Sequence, residues 1–242
     1  MTERTLGGKA IVIAGAGSGM GRATAIAAAN AGAHLVLISQ STAAKEVASS
    51  IRDSGGDATA IVADMTDLES AKSAIAQAHE SLGRIDALVN TVGKNIKQRT
   101  LSELTAESWS DMIAVNLTAA FNTTQSVVPI MRDQGDGLII HVSSSAARKP
   151  DASGVSYQAT KAAVVGLAHG TMEEERKNGI RTSVIFPGLT DTPLVLNRPT
   201  PTPPEVLAKA LQPEDVAAAV LFILNLPARA YVPELVLYPS AL

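Results

Sequence analysis

Short β-branched runs alternate with longer alanine-rich windows along nearly the whole chain, and no other feature restricts its fold so strongly. The runs near 9–14, 34–39, 58–63, 86–91, 137–143, 180–186 and 232–238 read as strands. The windows near 20–31, 42–54, 67–83, 104–132, 154–178 and 213–225 read as helices. In the third window Leu68, Ala71, Ile75, Ala78 and Leu82 recur at helical spacing and share one face. A helix between two strands lets the second strand return parallel to the first, so the alternation predicts an α/β fold with a parallel sheet of about seven strands and helices on both faces. With 242 residues, of which 46% are hydrophobic, one domain spanning 1–242 can bury a sizeable core.

The stretch "AGAGSGMGRATA", residues 14–25, sets glycines at 15, 17, 19 and 21 directly after the first apolar run. So bare a backbone turns tightly, lets a ligand approach closely and aims free N–H groups at it, and a pyrophosphate fits those demands. Met20 stands where a strict G-x-G-x-x-G would end, so the loop alone also suits a turn without a ligand. Further along, "YQATK" places Tyr157 and Lys161 four residues apart on one face of a helix. An ammonium near a phenol of pKa about 10 favours the phenolate. A tyrosine tuned in this way can give a proton to a carbonyl oxygen or take one from an alcohol. On its own the pair also suits a solvated helix face.

Other partners are disfavoured. The net charge is −3 with mixed signs, and no polybasic stripe offers itself to phosphate backbones. The apolar stretches fall well short of the roughly 20 residues that span a bilayer. Zero cysteines exclude a disulfide framework and thiolate metal sites, and the N-terminus lacks a basic region followed by an apolar one, so a cytoplasmic location is expected. The four histidines show no ligand spacing, no metal is expected, and His141, in an apolar strand, reads as a core residue.

Together these stretches resemble the short-chain dehydrogenase/reductase family in its compact form, over nearly the whole chain. The family's Thr-Gly-x-x-x-Gly-x-Gly loop is matched from Ala14 to Gly21, its aspartate after the third strand by Asp64, and its Asn-Asn-Ala-Gly in part by "NTVG" at 90–93. Asn116 in "VNLTAAF" falls on the family's helix asparagine, and Ser144, thirteen residues before Tyr157, on its catalytic serine, with Ser143 and Ser145 as neighbours that could be mistaken for it. "PGLTDTP" at 187–193 is similar to the segment that holds the nicotinamide end. The resemblance implies a Rossmann-type fold and an oxidoreductase acting on a carbonyl/secondary alcohol pair, with Asn116, Ser144, Tyr157 and Lys161 as the catalytic set. Ser144 would bond the substrate oxygen, Tyr157 move the proton, Lys161 tune Tyr157 and bond the nicotinamide ribose, and Asn116 bend its helix and hold a proton-relaying water. The alternative is a non-catalytic dinucleotide-binding regulator or redox sensor, which would not need Ser144, Tyr157 and Lys161.

The cofactor-contacting set implied by the resemblance comprises Gly15, Gly17, Ser18, Gly19, Met20 and Gly21 in the loop, Ser39 and Gln40 after the second strand, and Asp64 and Met65 after the third. Asn90, Gly93, Tyr157, Lys161, Pro187, Gly188, Thr190 and Thr192 complete it. Asp64 would accept from the adenine amino group. Ser39 stands where NAD users carry an acid, which favours NADP(H); Gln40 in place of a common arginine keeps NAD(H) open. Ala14 and Thr91 replace a family threonine and asparagine, so a glycine loop less firmly tied to the sheet is expected. Residues 192–205 hold five of the twelve prolines, and 189–212 reads as a substrate lid or a stiff connector. The substrate pocket is expected to be mostly aliphatic with a positive rim at Lys94 and Lys97. A homotetramer or homodimer through the helices starting near 104 and 154 is implied as well.

Overall fold

The computed structural model describes residues 5–241. Seven parallel strands form one sheet: β1 (Ala10–Ala14), β2 (His34–Ser39), β3 (Asp57–Val62), β4 (Ala87–Asn90), β5 (Gly137–Val142), β6 (Ile180–Pro187) and β7 (Glu234–Leu237). Their order is β3-β2-β1-β4-β5-β6-β7. The first half of the chain winds outward from β1 to β3, and the second half starts beside β1 at β4 and winds the other way. Between β1 and β4 the direction reverses, and in a sheet of this kind a crevice opens there beyond the carboxyl ends of the strands.

The two-residue side-chain period of each strand divides the core. Ile11 and Ile13 of β1 pack on one face with α1 (Gly19–Asn30), α2 (Ala43–Asp53) and α8 (Pro213–Leu224). Val12, between them, faces the opposite layer of α3 (Leu68–Leu82) and α5 (Ala119–Gln134). Val165 and Ala168 of α6 (Val155–Glu175) cover Val184 and Phe186 of β6 on that same side of the molecule. Strands covered on both faces read as continuous apolar runs, which is why the sequence of β1 shows no alternation.

The helix expected over 104–132 is broken. α4 (Ala106–Ile113) begins after Thr105, whose side chain forms a reciprocal cap with Ser108, and gives way to a π-helical turn over Ala114–Thr118 before α5. Such a turn carries an extra residue and is common at functional sites; Asn116 sits within it. The proline-rich stretch is not featureless. It contains a 3-10 turn (Pro193–Asn197) and the short helix α7 (Pro204–Leu207). Its ends are tied together, since Asp191 N donates to Leu211 O (2.8 Å) and Leu211 N to Leu189 O (2.9 Å). The excursion therefore springs from a closed neck inside the expected 189–212. No helix among the described residues is long and apolar enough to cross a membrane.

Candidate active site

The glycine loop leaves β1 at Ala14 and enters α1 at Gly19. Its glycines are required by what surrounds them. Gly15 has φ +85°, and a Cβ there would lie 2.6 Å from Thr91 Oγ1; one on Gly21 would lie 2.3 Å from Gly15 O. The expectation of a loosely tied loop needs correction, because Thr91 Oγ1 donates to Ala14 O at 2.9 Å and sits between the two glycines. The hydroxyl missing at position 14 is supplied from across the crevice by β4's own extension. In the sequence Thr91 stands as a departure from the family pattern, and the signal of its role is a threonine beside an alanine of the neighbouring strand.

Above this loop lies a cleft of about 600 Å³. Gly15, Gly17, Ser18, Gly19, Met20 and Gly21 line one wall, Ser39, Gln40, Asp64 and Met65 the far end, and Gly93, Tyr157, Lys161 and Thr192 the near end. Asp64 accepts from Thr66 N (2.8 Å) and Thr66 Oγ1 (2.7 Å), and these bonds hold its carboxyl below the usual range; Gln40 Nε2 donates to its other oxygen at 2.9 Å. Ser39 Oγ donates to Ser41 O (2.6 Å) and accepts from Ala44 N (3.2 Å), so it caps the start of α2. Lys45 faces a different surface groove. Asn90 lies beneath the cleft instead of on its wall, with Nδ2 on Thr123 Oγ1 (3.3 Å) and Oδ1 on Val92 N (3.1 Å). There it shapes the turn into Gly93.

Pro187, Gly188 and Thr190 line a second, smaller cavity of about 90 Å³, together with Ser144 and Leu189. Met20, Tyr157 and Thr192 border both spaces, so the two meet at the phenol. The three neighbouring serines differ in their partners. Ser143 is buried and donates to Lys161 O at 2.8 Å, which commits it to holding β5 against α6. Ser144 caps a 3-10 turn (Ser145–Ala147), accepting from Ala146 N at 3.2 Å, and its hydroxyl faces Tyr157. Ser145 borders the smaller cavity further out.

Lys161 is buried and donates from Nζ to Val142 O at 3.0 Å; burial pushes its pKa down to about 8. Its Nζ lies 5.9 Å from the centroid of the Tyr157 ring. The phenol itself is held above its ordinary value by burial, against which Ser144 pulls most and Arg99 less. The expected depression by Lys161 is not among the influences on the phenol, whose upward shift comes from burial and, after it, the Asp151 charge. Asn116 clamps the loop after β4: its Oδ1 accepts from Lys94 N (2.8 Å), and its Nδ2 donates to Lys94 O (3.1 Å) and Thr160 Oγ1 (3.2 Å). A Cβ on Gly93 would meet Lys161 Nζ at 3.0 Å and Asn116 Oδ1 at 3.4 Å, so these side chains flank one glycine. His141 is buried, 3.4 Å from Thr124 Oγ1, and burial drives its pKa down to about 4, which keeps it neutral in the core. Of the expected positive rim, Lys94 borders the larger cleft and is paired with Asp111, whereas Lys97 is exposed and borders neither cavity.

The glycine cradle fits a dinucleotide pyrophosphate: a side chain at 15, 17 or 21 would strike neighbours within 3 Å, and α1 begins with its N-terminus at the cleft. Comparisons with known proteins agree with this fit. The family described as short chain dehydrogenase matches residues 9–201. A 2,5-dichloro-2,5-cyclohexadiene-1,4-diol dehydrogenase of Sphingobium indicum is 37% identical over 90% of this chain and 89% of its own. A 3-ketoacyl-(acyl-carrier-protein) reductase from Brucella melitensis, solved with NADH, superposes with a TM-score of 0.88 at 27% identity over 97% of this chain and 98% of its own. A metagenomic short-chain oxidoreductase solved with NADP gives a TM-score of 0.84 at 27% identity, covering 98% and 100% of the two chains.

Proposed function

The chain belongs to the short chain dehydrogenase family, and we propose that it is an NADP(H)-dependent oxidoreductase interconverting a carbonyl and a secondary alcohol, with Tyr157 as general acid and base. One observation carries this reading: the Tyr157 phenol stands where the dinucleotide-sized cleft meets the smaller cavity, with Ser144 and Lys161 beside it. When bound, the dinucleotide supplies or accepts the hydride at the substrate carbon. Tyr157, a phenol of ordinary pKa about 10 that burial raises further, is protonated near neutral pH and gives its proton to the carbonyl oxygen in the reductive direction. Ser144 donates to that same oxygen and steadies the charge developing on it. Lys161 spends one N–H on Val142 O and keeps two for the cleft, which suits it to bond ribose hydroxyls and to stabilise the phenolate left behind. Asn116, whose two N–H groups are committed to Lys94 O and Thr160, keeps one acceptor position on Oδ1 beside Lys161 for a water that returns the proton.

NADP(H) is favoured because β2 ends at Ser39 and not at an acid, Asp64 at that end of the cleft is engaged by Thr66 and Gln40, and the first turn of α2 borders the cleft at Ala43. Self-association into a homotetramer or homodimer belongs to the same reading. A non-catalytic sensor would have no use for the Ser144, Tyr157 and Lys161 arrangement. Replacing Tyr157 by Phe separates the two: turnover should fall by roughly 100-fold or more while NADPH affinity stays near that of the parent. Turnover that survives the change removes the tyrosine from the chemistry. A cofactor-absorbance screen against ketones, keto acids, quinones and sugars supplies the assay.

A further inference from the structure

The cavity beyond Tyr157 contains two guanidinium groups that no family motif brought into view. Arg99, on the loop after β4, is 5% exposed and lines this space with Arg198 of the lid. Its Nε donates to Ile96 O at 2.8 Å and its Nη2 to Asn197 O in the lid. A guanidinium has five N–H donors, so three of Arg99's have no protein acceptor among the described residues. Arg198 spends one on Thr202 Oγ1 at 3.1 Å. Neither arginine has a carboxylate within 4.0 Å among the described residues. Asp151 borders the same cavity, but it is exposed and its Oδ1 accepts from Ser153 N at 2.8 Å.

The fold makes room for this arrangement. Gly154, at the start of α6, has φ +91°, and a Cβ there would lie 2.7 Å from both Arg99 Cβ and Arg99 O. Burial, and after it the Arg198 charge, holds the Arg99 guanidinium below its ordinary pKa. The exposed Asp151 charge offsets this only in part, and a buried cation with spare donors and a like charge beside it gains from an anion bound directly to its fork. The planar fork of arginine matches a carboxylate with two parallel bonds. The cavity, at about 90 Å³, is small.

Building on the redox reading above, we infer that Arg99 and Arg198 form a carboxylate subsite, and that the substrate pair is a compact keto acid and its hydroxy acid. In that reaction the keto acid gains a hydride at its carbonyl carbon, drawn from the reduced dinucleotide, and the Tyr157 proton at its oxygen. Asn197 links Arg99 to the lid, so carboxylate binding and lid position are joined at one side chain.

Steady-state rates with NADPH, measured on 2-oxobutanoate and 4-oxopentanoate beside their methyl esters, test the inference. At least one acid should exceed its ester in kcat/KM by roughly tenfold or more, the worth of hydrogen bonds to a charged group. In Arg198→Met the acid-to-ester ratio should collapse towards unity, chiefly through a higher KM for the acid. Arg99→Lys, which keeps the charge but loses the fork, should lower the ratio as well. Esters that match their acids in the parent protein, or a ratio untouched in Arg198→Met, would overturn it; equal losses for acid and ester in Arg99→Lys would reduce Arg99 to a latch for the lid. Calorimetric titration of the same acids into the NADP⁺-loaded protein reads the subsite apart from chemistry. Acid binding that needs Arg198 but yields no turnover would keep the subsite and remove the redox reading. Turnover of esters with no preference for acids would do the reverse.

Discussion

Thr91 and Ser39 show how single side chains set the terms of the cleft. Ala14 O accepts from both Thr91 N (2.9 Å) and Thr91 Oγ1 (2.9 Å), so removing the hydroxyl leaves no orphaned carbonyl. Thr91→Val should therefore cost only about 0.5–1.5 kcal/mol of stability. Its larger effect should fall on NADPH affinity, because the hydroxyl packs between Gly15 and Gly21 and fixes the path of the cradle. Thermal melts and fluorescence titration of the variant would separate the two, and unchanged affinity would deny Thr91 that positioning role. Under the NADP(H) proposal, Ser39 is the residue on which cofactor choice turns. An aspartate there retains an acceptor for Ala44 N while setting a negative charge at the end of β2. Like charges at close range near a protein surface repel by a few kcal/mol, so Ser39→Asp should swing the NADPH-to-NADH preference towards NADH by roughly tenfold or more. Competitive titrations with both nucleotides decide it, and a parent protein that already prefers NADH would contradict the NADP(H) reading.

At the level of elements, what the sequence makes legible follows from local pattern, and what it hides follows from long-range contacts. The helix read over 67–83 forms as Leu68–Leu82, because its apolar face and the Asp67 cap, which accepts from Ser70 N at 2.7 Å, are both local. The π-turn at 114–118 is invisible to periodicity, since its centre, Asn116, is held by partners 22 and 44 residues away. Among the site residues, Tyr157 and Lys161 are legible from helical spacing, whereas the choice among Ser143, Ser144 and Ser145 depends on which of them bonds α6. Arg99 carries no motif, and only the clash at Gly154 reveals that the chain reserves space for it. The C-terminal ends of α5 and α6 are joined by a clamp of the same long-range kind. Arg132 donates to Glu175 from Nε at 2.6 Å and again from Nη2, and Asn178 Nδ2 donates at 2.8 Å. These bonds, Arg132 first, bring the Glu175 pKa from 4.5 down to about 2. A carboxyl lowered on folding stabilises fully above its unfolded pKa and loses that contribution as pH falls through its folded one. The clamp should thus weaken from about pH 4.5 towards pH 2. Melting temperature followed over that range should drop more steeply for the parent than for Glu175→Gln, which should start lower at neutral pH; parallel curves would show that the clamp does not titrate.

Across the whole molecule, the surface is unevenly finished. Most of the apolar side chains are buried in two layers, yet Trp109 and Phe121 remain 37% and 43% exposed on α4 and α5. On α6, Ala162, Gly166 and Gly170 recur every four residues on the outer face, and a Cβ on either glycine would meet nothing within 4 Å. A smooth stripe on α6, with exposed aromatics on the helices α4 and α5 that pack against it, is a surface on which a second helix pair can settle closely, and closed two-fold contacts are the commonest way for like chains to meet. This supports the proposed homodimer or homotetramer through α4, α5 and α6. The protein has a single tryptophan, so its emission reports on that face alone. On dilution the emission should move to longer wavelength as the assembly dissociates, in step with a fall in light-scattering mass from a multiple of 24.9 kDa. Gly166→Gln should shift both changes to higher concentration without lowering protomer stability, because the new side chain has open space in the protomer and glycine is a poor helix former. A mass of one chain at every concentration, or an assembly indifferent to Gly166→Gln, would place the contact elsewhere and leave the stripe as an ordinary solvated face.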